Sequence, residues 1–210
     1  MSSNSLSAVN ISKAYTSDNY IFRNINIDLI AGESIAICGA NGSGKSTLLK
    51  ILAGAVLPSD GAINVSVDNK KIKAENRYQH IGFVAPYLNI YDEFTPYESA
   101  RIISGMRGVE FSPWRFEHLG AGLGMSGYIH RPAGEFSSGM KQRVKYLLAL
   151  LHEPEILLLD EPATNLDSRG YESVMSLAKE HCDSGGILAV ATNEEGEKQS
   201  SDKIIDLNQI

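Results

Sequence analysis

The nonapeptide GANGSGKST at residues 39–47 constrains this chain more than any other stretch. It carries the pattern G-x-x-x-x-G-K-[ST] through Gly39, Gly44, Lys45 and Ser46, with Ala40, Asn41, Gly42 and Ser43 between and Thr47 after. Gly39, Gly42 and Gly44 free the backbone to bend until neighbouring N–H groups face one anion. Residues 34–38, rich in Ile and Ala after an Ala31-Gly32 turn, suit a buried strand. Leu48, Ile51 and Leu52 give a helix over residues 45 to about 53 its apolar face. Strand, glycine-rich loop and helix N-terminus together make a phosphate cradle. Lys45 can reach β- and γ-phosphates there, and the Ser46 hydroxyl can ligate Mg²⁺. The pattern points to ATP or GTP, but by itself leaves a GTPase, a kinase and a transport ATPase open.

The second half supplies acids. Residues 156–160 read ILLLD, a continuous apolar run ending in a carboxylate, with Pro154 before it and Glu161-Pro162 after it. Such runs are strands of a parallel sheet buried on both faces, and ligands sit beyond the carboxyl ends of those strands. Asp160 can hold Mg²⁺ through water, and Glu161 can polarise an attacking water. Two adjacent acids at that place are costly unless a cation or a proton uses them.

Just upstream, residues 138–152 have helical spacing. Val144, Leu147, Leu148 and Leu151 fall on one face, with Lys141, Arg143 and Lys145 mostly off it. The helix opens on EFSSGMKQR, where Ser137 or Ser138 can cap the first turn and free N–H groups at Gly139 can hold an anion.

These segments together resemble the ABC transporter ATP-binding subunits. GANGSGKS, then FSSGM in the place of a Leu-Ser-Gly-Gly-Gln signature, then ILLLDEPATNLD, follow in that family's order and spacing, over about residues 6 to 210. The resemblance implies an α/β P-loop ATPase with an antiparallel β subdomain. A small helical subdomain is inserted at about residues 87–135, within one ATP-binding domain spanning residues 1–210. It implies that Tyr15, in ISKAY, stacks on adenine, that residues 39–47 hold the phosphates, and that Ser137 and Gly139 contact the γ-phosphate of ATP bound to an opposite subunit. Asp160 matches the metal-side aspartate, Glu161 the general base, and Asp167 a loop that communicates across a dimer. ATP and Mg²⁺ are the implied cofactors. A second ATPase subunit, identical or homologous, and separate membrane-spanning subunits are the implied partners. The chain would then lie in the cytoplasm, against the inner face of a membrane.

Three positions leave the family pattern. Pro86, in GFVAPY, stands at the end of the strand expected at residues 81–85, where a glutamine is usual. Proline offers neither a side-chain ligand nor a backbone donor; Tyr87 and Asn89 are nearby substitutes. Asn193 follows Thr192 where a histidine is usual, and an amide can donate a hydrogen bond but cannot titrate near neutral pH. Met140 and Ser138 replace a glutamine and a glycine of the signature.

Residues 97–103 and 114–123 are the helices expected in the inserted segment, separated by Gly105, Gly108 and Pro113. Tyr87, Leu88, Ile90, Tyr91 and Phe94 either receive a membrane partner or pack that segment's core. A last strand is expected at residues 203–207.

Composition narrows the partners. A net charge of −6 argues against a broad nucleic-acid surface. No stretch approaches the roughly 20 apolar residues of a membrane span, and the polar start at residues 1–5 lacks the form of a signal peptide. Cys38 and Cys182 give no disulfide framework, which fits a reducing compartment.

Overall fold

Strand β1 (Ser5–Thr16) pairs antiparallel with β2 (Asn19–Ile30) on one side and with β4 (Asp60–Val67) on the other, and β5 (Lys70–Ile72) completes a four-stranded sheet in the order β2-β1-β4-β5. Along β2 the pleat sends Ile25, Ile27 and Leu29 inward and leaves Asn26, Asp28 and Ile30 outside, as the alternation predicts. The computed structural model describes residues 3–16 and 19–209. Met1 and Ser2 of the polar start lie outside them, and Ser5 already belongs to β1.

The second sheet is parallel, in the order β6-β7-β8-β3-β9. Its strands are β3 (Ser34–Cys38), β6 (Ile81–Val84), β7 (Ile156–Asp160), β8 (Ile187–Ala191) and β9 (Lys203–Asp206). Every residue of β3, β7 and β8 is buried, because layers cover both faces. On one side Ile156, Leu158 and Ile187 meet helix α1 (Lys45–Leu52) and the inner face of the antiparallel sheet. On the other, Leu157, Leu159, Leu188 and Val190 meet α4 (Ser138–Leu150) and α5 (Ser168–Asp183), which follow α2 (Pro96–Arg107) and α3 (Pro113–Gly122) in the chain. A short α6 (Glu195–Gln199) follows β8.

Element ends differ from the sequence expectation where caps decide them. Helix α2 starts earlier than residue 97, since Thr95 and Glu98 form a reciprocal capping box with Pro96 in the first turn. It also runs through Gly105 rather than ending before it, and stops at Gly108, which takes the left-handed conformation (φ 70°). Helix α4 ends at Leu150 rather than His152, and β9 ends at Asp206, with Leu207 opening a 3₁₀ turn. Strand β6 stops one residue short of Ala85. The single apolar face expected of α4 is too narrow: Gln142, Tyr146, Ala149 and Leu150 are buried as well, because the helix is wedged between the sheet and its helical neighbours.

Candidate nucleotide-binding site

Parallel pairing aligns the carboxyl ends of the strands. Ile37 of β3 and Asp160 of β7 both pair with Ala191 of β8, and Val84 of β6 pairs with Leu159. The loops leaving β3, β7, β8 and β6 therefore open on one edge, bringing residues 39–47, Asp160–Glu161, Thr192–Asn193 and Pro86–Tyr87 into one neighbourhood.

The cradle follows β3 directly. Gly44 sits at the N-terminus of α1 with φ 101°, and a Cβ there would run into Ile21 and Phe22 of β2. Only glycine fits both the dihedral and the space. The Lys45 side chain, 5% exposed, lies across the loop with Nζ 2.7 Å from the Gly39 carbonyl and 3.2 Å from that of Ala40. Ser43 Oγ is buried with no hydrogen-bond partner among the described residues, a polar group that suits a ligand.

The acid pair sits opposite. Asp160 is 2% exposed, and its Oδ1 has no hydrogen-bond partner among the described residues. Burial pushes its carboxyl pKa up; the Ser46 hydroxyl facing it and the lysines at 50 and 45 oppose that, while Glu161 adds to it. A buried, orphaned carboxylate oxygen beside a serine hydroxyl is a donor set that fits a hard cation such as Mg²⁺. Glu161 holds φ 47°, a left-handed conformation that is rare for a side-chain-bearing residue and recurrent at functional sites. Its N–H bonds to the Ala191 carbonyl at 2.9 Å, which keeps the exposed carboxylate at the sheet edge.

Asn193 reaches the same cradle. With its amide nitrogen turned toward the loop it donates to the Gly39 carbonyl at 2.7 Å and to that of Thr192 at 3.2 Å, the orientation that satisfies its polar atoms. Tyr87 comes from the other side. Its ring lies 4.0 Å from Lys50 Nζ, and burial together with the facing Asp160 carboxylate raises its hydroxyl pKa. Of the two substitutes considered for the missing glutamine, Tyr87 is the one facing Asp160.

The remaining predicted residues lie apart. Tyr15 on β1 is 69% exposed, with Lys13 Nζ 5.1 Å from its ring centroid. Its hairpin abuts the cradle through Ile21 and Phe22. Ser137 caps α4, accepting from the Met140 N–H at 3.2 Å, which decides between the two serines as the cap. A Cβ on Gly139 would fall 2.8 Å from the Asn165 carbonyl oxygen, so this glycine permits the close approach of the loop before α5. Among the described residues no hydrogen bond joins Ser137 or Gly139 to residues 39–47. Asp167 caps α5 through the Gly170 N–H and pairs with Arg143 at 2.6 Å, both of which lower its pKa.

Sequence reasoning missed Lys145, whose Nζ donates to the Pro86 carbonyl at 3.0 Å, and Glu197, buried against Tyr171. For Lys145 the available signal was a charge inside an apolar helix pattern, whereas the polar run EGEKQ around Glu197 offered none. Of the five apolar residues offered after β6, Tyr87, Tyr91 and Phe94 are exposed, whereas Leu88 and Ile90 are half-buried and Ile90 packs on the helical core.

A parallel sheet with this glycine cradle, an orphaned strand-end aspartate and an adjacent glutamate defines a P-loop nucleotide-hydrolase site. A family model described as ABC transporter matches residues 22–164, and the chain belongs to that family as an ATP-binding subunit, the class whose activity is ATP hydrolysis. The chain is 36% identical over 194 residues to the lipoprotein-releasing system ATP-binding protein LolD of Saccharophagus degradans, covering 86% of this chain and 83% of that one. It is 31% identical to the macrolide export ATP-binding/permease protein MacB of a Shewanella strain, covering 89% of this chain but 30% of MacB. Among solved structures, a dimeric post-hydrolysis ATP-binding cassette bound to ADP and Pi superposes with a TM-score of 0.83 at 26% identity, covering 96% and 93% of the two chains.

Proposed function

We propose that this protein is a Mg²⁺-dependent ATPase that closes as a dimer around two ATP molecules and passes that movement to separate membrane-spanning transport subunits. The observation that carries the reading is the buried Asp160 carboxylate beside the Ser46 hydroxyl, with its Oδ1 unpartnered among the described residues. Ser46 and Asp160 would hold Mg²⁺, which would supply neutralisation of phosphate charge. Backbone N–H groups of Gly39 to Thr47 and the Lys45 ammonium bind the β- and γ-phosphate oxygens, and Tyr15 stacks on adenine. Lys45 exchanges its carbonyl partners for phosphate. Glu161 orients and polarises the attacking water; Asn193, already against Gly39, donates one neutral hydrogen bond to the γ-phosphate. Ser137 and Gly139 act on the ATP of the opposite subunit, since a helix N-terminus is suited to an anion and theirs has no described bond to its own cradle.

Similarity to LolD and MacB supports a membrane-coupled role at the inner face of a membrane, with the cargo left open. No helix of the described residues is long and apolar enough to cross a membrane, so the span belongs to partner chains in this reading. Purification from the native membrane with identification of every stoichiometric partner tests it: a multi-span protein is expected, and soluble partners alone would replace transport with a soluble assembly role.

A further inference from the structure

The Tyr171 hydroxyl donates a 2.9 Å hydrogen bond to Oε1 of Glu197, a carboxylate that is 1% exposed. Burying a carboxylate is costly, and an apolar residue in this position of α6 would pack without that cost. The groups around Glu197 say what the carboxylate holds. Its Oε2 is buried with no hydrogen-bond partner among the described residues, while the nearby Thr192 hydroxyl oxygen accepts the Glu194 N–H at 2.8 Å and so joins the Thr192–Asn193 turn to the start of α6. Thr192 precedes Asn193, and Asn193 reaches the Gly39 carbonyl. In the other direction, the Tyr171 N–H bonds to the Asp167 carbonyl at 2.9 Å, and the Asp167 carboxylate takes Arg143 of α4 at 2.6 Å. Glu197 also lines a cavity of about 200 Å³ with Glu161, Thr164, Thr192 and Asn193, behind the residues expected to carry the chemistry.

We propose that Glu197 is a positioning residue that ties the Thr192–Asn193 turn to helix α5, so that the amide reaching the phosphate cradle moves with the Asp167 loop. The linkage runs through Arg143, Asp167, Tyr171 and Glu197 into α6, and from its cap residue Glu194 to Thr192 and Asn193, from the helix bearing the FSSGM segment to the GANGSGKST loop. It rests on the reading of Asn193 as a γ-phosphate partner for its catalytic consequence, but the tether itself is a property of the free protein. Tyr171 donates to Glu197, so what the site requires at 197 is an acceptor oxygen.

The test compares wild type with Glu197→Val, Glu197→Gln and Tyr171→Phe in the full chain. Two readouts are used: amide hydrogen exchange of residues 192–194 without nucleotide, and steady-state ATP hydrolysis resolved into kcat and KM. Glu197→Val and Tyr171→Phe are expected to speed exchange at residues 192–194 by about tenfold relative to the rest of the sheet, the loss of one hydrogen bond. Glu197→Val should lower kcat by about tenfold with KM nearly unchanged. Glu197→Gln, which keeps the acceptor oxygen, should restore both to within about threefold of wild type. Wild-type exchange in Glu197→Val, or equal damage from Gln and Val, overturns the tether. If wild type hydrolyses no ATP, the proposed function fails and the exchange data alone decide the tether.

Discussion

Lys145 Nζ lies 3.0 Å from the Pro86 carbonyl oxygen and 3.4 Å from that of Ala85, so α4 holds the chain where β6 enters its loop. Proline lacks a donor but keeps its acceptor, and this cation uses it. Burial lowers the Lys145 pKa, which marks an ammonium partly stripped of water and dependent on those carbonyls. Lys145→Met keeps the apolar stem and removes the charge. It is expected to cost about 1 kcal/mol in urea unfolding, the discounted value of a half-exposed charged hydrogen bond. A midpoint equal to wild type would mean that the contact stabilises nothing.

Gly139→Ala distinguishes a local from an intersubunit role. The added methyl would meet the Asn165 carbonyl at 2.8 Å, so the variant should lose about 1–3 kcal/mol even as a nucleotide-free monomer. Thermal unfolding without ATP reads this. An unchanged melting temperature would leave dimer closure as the only demand on that glycine.

His152 predicts acid sensitivity. Burial, with Arg107 second, pushes its pKa down to about 3, and Arg107 Nη1 lies 2.8 Å from its Nε2. Arg115 and His80 also face it and lower the pKa further, against the Ile81 carbonyl, which raises it. Because the folded pKa is below the unfolded one, the unfolded chain binds a proton that the native protein resists. The contribution is fully present above about pH 6.5 and is lost as pH falls toward 3, by at most about 1.4 kcal/mol per pH unit. Urea titrations at pH 7 and pH 5 should show wild type losing more stability than His152→Gln. Parallel losses would contradict the assignment.

What the sequence made legible was local. The 39–47 loop, the ILLLD strand and the Ile25–Ile27–Leu29 alternation each declare themselves within a dozen residues, through dihedral freedom, period and burial. Contacts such as Lys145 with Pro86 or Tyr171 with Glu197 join residues far apart in the chain, across a sheet order that no local pattern encodes. The same holds for Gly139, which reads as an anion-binding glycine in sequence and has, in the fold, a carbonyl pressed against it. The end of α2 was misplaced because Gly105 is a tolerated interior glycine, while the left-handed turn falls at Gly108.

Tyr15, exposed and bordering the cradle's hairpin, is available for a base. Ring stacking is worth roughly 1–3 kcal/mol per base in nucleic-acid complexes. Tyr15→Ala should therefore weaken ATP binding by about tenfold or more, and Tyr15→Phe far less. Equal dissociation constants for the two variants, by calorimetry, would remove Tyr15 from the site.

In the proposed function, Glu161 beside Asp160 organises hydrolysis, with Asn193 as an auxiliary donor. Steady-state phosphate release should be measured for wild type, Glu161→Gln and Asn193→Ala, each with MgATP, alone and with the membrane partner. Asn193→Ala should lose about tenfold, the worth of one neutral hydrogen bond. Glu161→Gln should lose more, because in the proposed function its carboxylate polarises the water, and the partner should raise the wild-type rate. Wild-type release no faster than Glu161→Gln in both settings would contradict the account and make this an ATP-binding clamp.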